Sequence, residues 1–146
     1  VTAAAACVSW RGFLRALAEE VDEARGVVAR DAMLHGVGER MALLSPLPAV
    51  ADIAGIEIEI NSLLAEWGWG SAELELNETE HSLVIVHYGL PSVGSIGDPP
   101  GTWLSALLEG LYETWIGELP GGDRRLSARR QRILNGAVTL RYGRNG

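Results

Sequence analysis

The residue types suited to catalysis or metal binding in this 146-residue chain are three histidines, one cysteine and nineteen carboxylates. His81 and His87 stand six positions apart across a turn–strand junction, which does not fix them on one face, and His35 is remote from both. There is no His-x-x-x-His pair and no Cys/His cluster, the spacings that bring tetrahedral zinc ligands together, so no metal site is expected. His87 sits in an apolar strand and reads as a hydrogen-bonded core histidine, not a general base. Nucleophilic chemistry lacks its signature. Ser95 in Gly94-Ser95-Ile96 is not a nucleophile elbow, and Cys7 lies in an amino-terminal segment, residues 1–8, that is expected to be flexible. Nineteen acids always allow a pair at glycosidase spacing, so carboxylates alone identify nothing. All twelve basic residues are arginine, which removes the phosphate-loop lysine, Schiff-base lysines and pyridoxal phosphate attachment together. The loop Gly94–Gly101 precedes a helix like a phosphate cradle, but it has no lysine and Asp98 would repel an anion. The expectation is no catalytic residue, no metal and no cofactor.

Tryptophan is the remaining candidate chemistry, because an indole face stacks on the C–H face of a sugar ring. Four of the five tryptophans lie between Trp67 and Trp115. Trp67, Trp103 and Trp115 fall on the apolar stripes of helices, where packing is the default role. Trp69, in the turn Trp67-Gly68-Trp69-Gly70, and Trp10 are freer to face a ligand.

The elements that must position these residues follow from periodicity. Trp10, Phe13, Leu14, Leu17 and Val21 form one stripe of a helix over Ser9–Arg25. Gly26 allows a break, and a second helical stretch to Leu44 carries the narrower seam Val27, Leu34, Val37, Met41 and Leu44, suited to contact with another helix in the chain or in a neighbour. Pro46 and Pro48 stop it. Ile56–Ile60 alternates like a strand, but Ile53, Ile56, Ile60, Leu63, Leu64 and Trp67 keep helical spacing over a longer window. A helix capped by Asp52 and ended by Gly68 is therefore predicted. Ala72–Leu76 alternates as a strand with one wet face. Ser82–Tyr88 is apolar on both faces, reads as an inner strand, and should pair with it as a hairpin. Gly89–Gly101, with four glycines and three prolines, is a corner. Thr102 caps a helix whose broad face, Trp103, Leu104, Leu107, Leu108, Leu111, Tyr112 and Trp115, exceeds what one neighbour buries. The arginine-rich stretch within 119–135 has no legible pattern, and Val138–Tyr142 alternates as a last strand. The candidate subunit-interface residues are Leu34, Val37 and Met41 from the seam and Trp103, Leu107, Leu111 and Trp115 from the broad face.

Length and composition fit one domain over 1–146 with a sizeable core: 47% of residues are hydrophobic and no run is long enough to span a membrane. The apolar first residues carry no basic region and do not read as a signal peptide. The net charge of −7 is uneven. Residues 1–118 hold 18 acids against 5 arginines, whereas residues 119–146 hold 7 arginines against Asp123 alone. An acidic body with a basic tail can self-associate through opposite patches, and a solvated basic segment with no partner is the alternative; nucleic acid is the weaker reading, since the overall field repels phosphates.

An ordered block of residues resembles the bacterial cellulose synthase D-subunit family. It comprises Ile58-Glu59-Ile60-Asn61, Leu63-Leu64, Gly68-Trp69-Gly70, Leu74-Glu75-Leu76, Ser82-Leu83 and Ile85-Val86-His87. It continues through Leu90-Pro91, Val93-Gly94-Ser95, Gly97, Pro99, Gly101-Thr102-Trp103-Leu104, Leu108-Glu109-Gly110-Leu111-Tyr112 and Trp115. The resemblance spans roughly residues 9–117 and fades in the arginine-rich segment. It implies an α+β fold, long amino-terminal helices packed with a small, mainly antiparallel sheet, assembling into a ring-like oligomer. It further implies a non-catalytic accessory subunit, a homo-octamer built as a tetramer of dimers, with other cellulose synthase subunits and β-1,4-glucan chains as partners. The amino-terminal segment would then face the interior, which makes Thr2, Ser9 and Trp10 the candidate glucan contacts. An adaptor that binds partner subunits and touches no glucan is the alternative. The expected place is the cytoplasmic side of the inner membrane, with the periplasm as the alternative.

Overall fold

The computed structural model describes residues 11–91 and 102–144. Three helices, α1 (Arg11–Leu44), α2 (Ile53–Trp67) and α3 (Thr102–Gly117), accompany four strands, β1 (Ser71–Asn77), β2 (Ser82–Tyr88), β3 (Ser127–Leu134) and β4 (Ala137–Gly143). The strands form one sheet in the order β1-β2-β4-β3, antiparallel at every step. The fold class is α+β, as the periodicity and the resemblance imply. Among the described residues no helix is long and apolar enough to cross a membrane.

Helix α1 consists of two arms joined at Gly26, whose backbone (φ 83°, ψ 169°) leaves the helical region in a way that L-residues resist. Helix α2 begins and ends where its sequence says: the Asp52 carboxylate accepts the Gly55 N–H, and Gly68 takes the left-handed conformation that closes the last turn. The stretch Ile56–Ile60 is thus helix, with Ile56, Ile60 and Leu64 buried on one face.

Helix α3 is the interior of the protein. It lies between α1 and the sheet, and residues 103–112 are buried on every side. The breadth of its apolar face is accounted for within the chain: Trp103, Leu107, Leu111 and Trp115 are core residues, not free surface. That corrects their assignment as subunit-interface candidates, because a side chain enclosed by its own protomer is not available to a neighbour. Leu34 is corrected likewise. Met41 packs on the core while partly exposed, and of the seven only Val37 is an exposed residue.

The α1–α3 contact is made by glycines. A Cβ on Gly38 would stand 2.0 Å from the Leu107 carbonyl oxygen, and one on Gly110 would stand 2.0 Å from the His35 carbonyl oxygen. The helix backbones therefore approach one another where neither carries a side chain. The face that α1 turns to α3 runs Arg30, Leu34, Gly38, Ala42, at four-residue spacing, instead of the seven-residue seam read from the apolar residues. Leu44 and Val27, expected in that seam, point outward.

Both sheet edges are closed by helix side chains. On β1, the Asn61 amide donates to the Ala72 carbonyl (2.8 Å) and accepts the Ala72 N–H (2.8 Å), while Glu57 accepts the Leu74 N–H (2.7 Å). On β3, Glu113 accepts the Ala128 N–H (3.0 Å) and Glu109 the Arg130 N–H (2.9 Å). Each pair is spaced i, i+4, so one helix face presents two acceptors at the spacing of alternate strand residues. Backbone groups that would otherwise template another strand are occupied.

The arginine-rich segment, illegible in sequence, is the edge strand β3. An irregularity between Arg130 and Arg132 breaks its alternation, which is why no period of two is visible there. Strand β4 is internal, inserted between β2 and β3. Strand β2 is inner as predicted, but only its Leu83–Ile85–His87 face is buried; Val84 and Val86 are half-buried on the other.

Candidate functional site

The junction of α1, α3 and β3 concentrates the charged side chains. Arg30 is only 4% exposed. Its guanidinium reaches across the break in α1 to Asp22 (3.0 Å) and doubles onto Asp31 (3.1 and 3.0 Å). Burial works against this charge, but the hydrogen bonds and charges of Asp31 and Asp22 outweigh it and hold the Arg30 pKa above its ordinary value. The second oxygen of Asp31 accepts from Arg130 (3.1 Å), which also donates to Ser105 Oγ (2.9 Å) and Glu109 (3.3 Å). The chain Asp22–Arg30–Asp31–Arg130–Glu109 links all three elements. Three carboxylates share two guanidiniums, each engaged in an ion pair, so the geometry is that of a clamp.

Beside it, His35 lies between two carboxylates, Nε2 at 3.1 Å from Glu113 and Nδ1 at 3.5 Å from Glu39. Glu39 and Glu113 also line a cavity of about 290 Å³, with Glu118 and Arg124 on its rim. Among the described residues this is the group whose donor atoms, all within 4.8 Å of one another, could hold a cation. The two carboxylates stand at opposite nitrogens of the ring, so an ion bound by all three requires one of them to move. The ordered role of the group is to tie α1 to α3. His35 and Glu39 were visible at i, i+4 in the sequence; Glu113 arrives from another helix, which no local spacing signals.

His87 is fully buried. Its Nε2 donates to the Trp69 carbonyl (2.8 Å), so its Nδ1 is the acceptor of the Tyr112 hydroxyl (2.6 Å). Burial lowers the His87 pKa against the opposing pull of the Trp69 carbonyl, and burial raises that of Tyr112. Both groups are held neutral, which makes the pair a core hydrogen-bond chain, as expected for this histidine.

The tryptophans are also occupied. Trp67 stacks on Trp115 (centroids 5.5 Å apart, 22° between planes), and Trp69 meets Trp67 edge-on (6.2 Å, 78°). Trp115 Nε1 donates to the Ser45 carbonyl (2.8 Å). Trp69, read as freer to face a ligand, is half-buried and meets this cluster at its edge, while Thr2, Ser9 and Trp10, together with Cys7, Ser95 and most of the corner loop, lie outside the described residues.

What the protomer leaves open is apolar surface on α1. Phe13, Val27, Val28, Met33 and Val37 are 40% exposed or more, although they belong to a helix with a well-packed opposite face. Val28 and Met33 fall outside the stripe and seam read from the sequence.

The family profile described as the D subunit of cellulose synthase matches residues 1–143. The chain belongs to the cellulose synthase D-subunit family. A "Cellulose synthase operon protein D" of Komagataeibacter xylinus is 45% identical over 109 residues, covering 75% of this chain and 70% of the relative. The protein of the same description from Komagataeibacter sucrofermentans shows the same identity and coverage. Several residues of the block that resembles the D-subunit family have defined structural work here. Asn61 closes the β1 edge, Gly110 admits α1, His87 and Tyr112 form the buried chain, and Trp69 and Trp115 build the aromatic cluster.

Proposed function

We propose that this D-subunit family member is a non-catalytic accessory component of a bacterial cellulose synthase complex, working as a cylindrical homo-octamer that guides or aligns β-1,4-glucan chains and organises the synthase complexes. The observation that carries this reading is the exposed apolar surface of α1. A lone protomer leaves the apolar side chains of Val27, Val28, Met33 and Val37 40% or more exposed, and covering such surface with further subunits gives a hydrophobic gain that favours assembly. Two further features support it. The ionisable clusters are engaged in ion pairs that tie α1, α3 and β3 together, the Glu39 and Glu113 carboxylates on the cavity included. The amino-terminal segment that precedes α1 in sequence holds Thr2, Ser9 and Trp10, the proposed contacts of a passing glucan.

A sliding polymer is best served by weak, repeated contacts, so affinity should be low and distributed. Native mass measurement and titration with cello-oligosaccharide test the proposal together. An octamer showing saturable binding that weakens in Trp10→Ala supports it. A monomer at micromolar concentration refutes the assembly. An octamer with no binding leaves the protein an adaptor among synthase subunits, and unchanged affinity in Trp10→Ala removes that residue from the path.

A further inference from the structure

The sheet has two unlike faces. One packs on the helices through Leu83, Ile85, Val138 and Leu140; the other carries no described element of this chain. The register fixes what this open face presents. Glu75, Val84, Arg141 and Arg129 form one row across β1, β2, β4 and β3, and Glu73, Val86, Thr139 and Arg132 form the next. The irregularity after Arg130 places Arg129 and Arg132 on one face, since their partners Arg141 and Thr139 are two residues apart. The face is thus acidic along the β1 edge, apolar along β2, and carries Arg141 and Thr139 on β4 beside the basic β3 edge.

That layout is self-complementary. Rotation by a half-turn about an axis parallel to the strands sets β1 of one copy over β3 of the other and keeps each row in step. Glu75 then faces Arg129, and Glu73 faces Arg132, twice over. The acidic side already contains a place for an arginine: a hollow of about 300 Å³ floored by Leu74, Val84 and Val86 and rimmed by Glu57, Glu73 and Glu75. Valines suit the aliphatic stem and carboxylates the guanidinium. On the basic side Arg129 stands directly opposite Arg141; Arg141 is paired with Glu80 (3.2 Å), so the charge left for an incoming carboxylate is that of Arg129. Among the described residues no ion pair engages Glu73, Glu75, Arg129 or Arg132. Closed edges on β1 and β3 leave face-to-face packing as the way for another sheet to dock.

We propose that the open face of the sheet is a contact between two copies of this chain, with Arg129 and Arg132 of each seated in the carboxylate-rimmed hollow of the other. The proposal rests on the assembly reading above and adds a second, polar contact to the apolar one on α1. Strands spaced about 4.8 Å apart and rising about 3.4 Å per residue give a face of roughly 19 by 24 Å. That is small for a self-sufficient interface, so this contact acts within a larger assembly and is sensitive to salt.

Reciprocal charge reversal tests it by sedimentation equilibrium at low salt, with circular dichroism to verify folding. Glu73→Arg/Glu75→Arg makes both edges basic, and Arg129→Glu/Arg132→Glu makes both acidic. Each double variant should associate at least tenfold more weakly than the parent, and an equimolar mixture should recover association, because the two faces match again. Parent-like association of each double variant, or a mixture no better than its parts, overturns the sheet-face contact and leaves assembly through α1 intact. A parent protein that stays monomeric overturns both readings.

Discussion

Replacing Gly38 by alanine should destabilise the protein, and the same replacement two residues earlier should stabilise it. On Gly38 the added Cβ meets backbone atoms, the Leu107 oxygen at 2.0 Å and the Leu111 nitrogen at 2.7 Å, where ordinary contact lies at 3.4–4 Å. No rotamer change relieves a clash with helix backbone, so α1 and α3 must part by more than an ångström along their contact. Overpacking of this kind costs about 1–3 kcal/mol or more, against about 1 kcal/mol recovered from alanine's better helix propensity. A clash with backbone that cannot yield puts the cost at the upper end of that range, so the net expectation is a loss of about 2 kcal/mol. Gly36 has nothing within 4 Å of the added carbon, so Gly36→Ala keeps only the propensity term, a gain of about 1 kcal/mol. Thermal unfolding at fixed protein concentration separates them, at roughly 3 °C per kcal/mol for a chain of this length. Gly38→Ala should melt several degrees below the parent and Gly36→Ala a few degrees above. Equal stabilisation by both would show that the helices do not meet at Gly38, and the described core would be wrong at its centre.

Two other expectations test the polar interior. Asn61→Ala orphans the N–H and carbonyl of Ala72, so a loss of about 1–3 kcal/mol and faster hydrogen exchange at Ala72 should follow; unchanged exchange there would mean that α2 does not close the β1 edge. His87 is held neutral by burial, its folded pKa below the unfolded one, so the unfolded state takes up the proton more readily. Its contribution to stability is therefore full above the unfolded pKa and falls as pH drops below about 6.5. Urea midpoints measured between pH 7.5 and 5 should decline more steeply in the parent than in His87→Gln, and identical slopes would place the pH dependence elsewhere.

Much of this fold is legible in the residues. Asp52 and Gly68 bracket α2, Gly26 marks the break in α1, alternation gives β1 and β4, and a short run apolar on both faces gives β2. In each case the physics is local: a cap, a positive φ, a period of two. The strand β3 was hidden because Arg130 turns inward to Asp31, Ser105 and Glu109 while Arg129 and Arg132 turn out, and a bulge removes the regular period. The candidate site divides the same way. His87 was legible as a core histidine from the apolar strand around it. That Trp69 joins a cluster, and that Glu113 stands beside His35, depended on helices that meet far from each other in sequence.

Composition and periodicity alone thus gave most of the elements, and the ordered block of residues pointed to the D-subunit family. Tertiary structure decided where its apolar surface goes. A broad apolar face on α3 looks like an interface in one dimension, yet three dimensions enclose it between α1 and the sheet, because Gly38 and Gly110 let two backbones touch. The surface left for neighbours is the outer side of α1 and the charge-divided face of the sheet. The sequence signalled them only in part, through Val27 and Val37 in the α1 seam and the uneven charge, since exposure is fixed by what packs on the opposite side and not by the residues that are exposed.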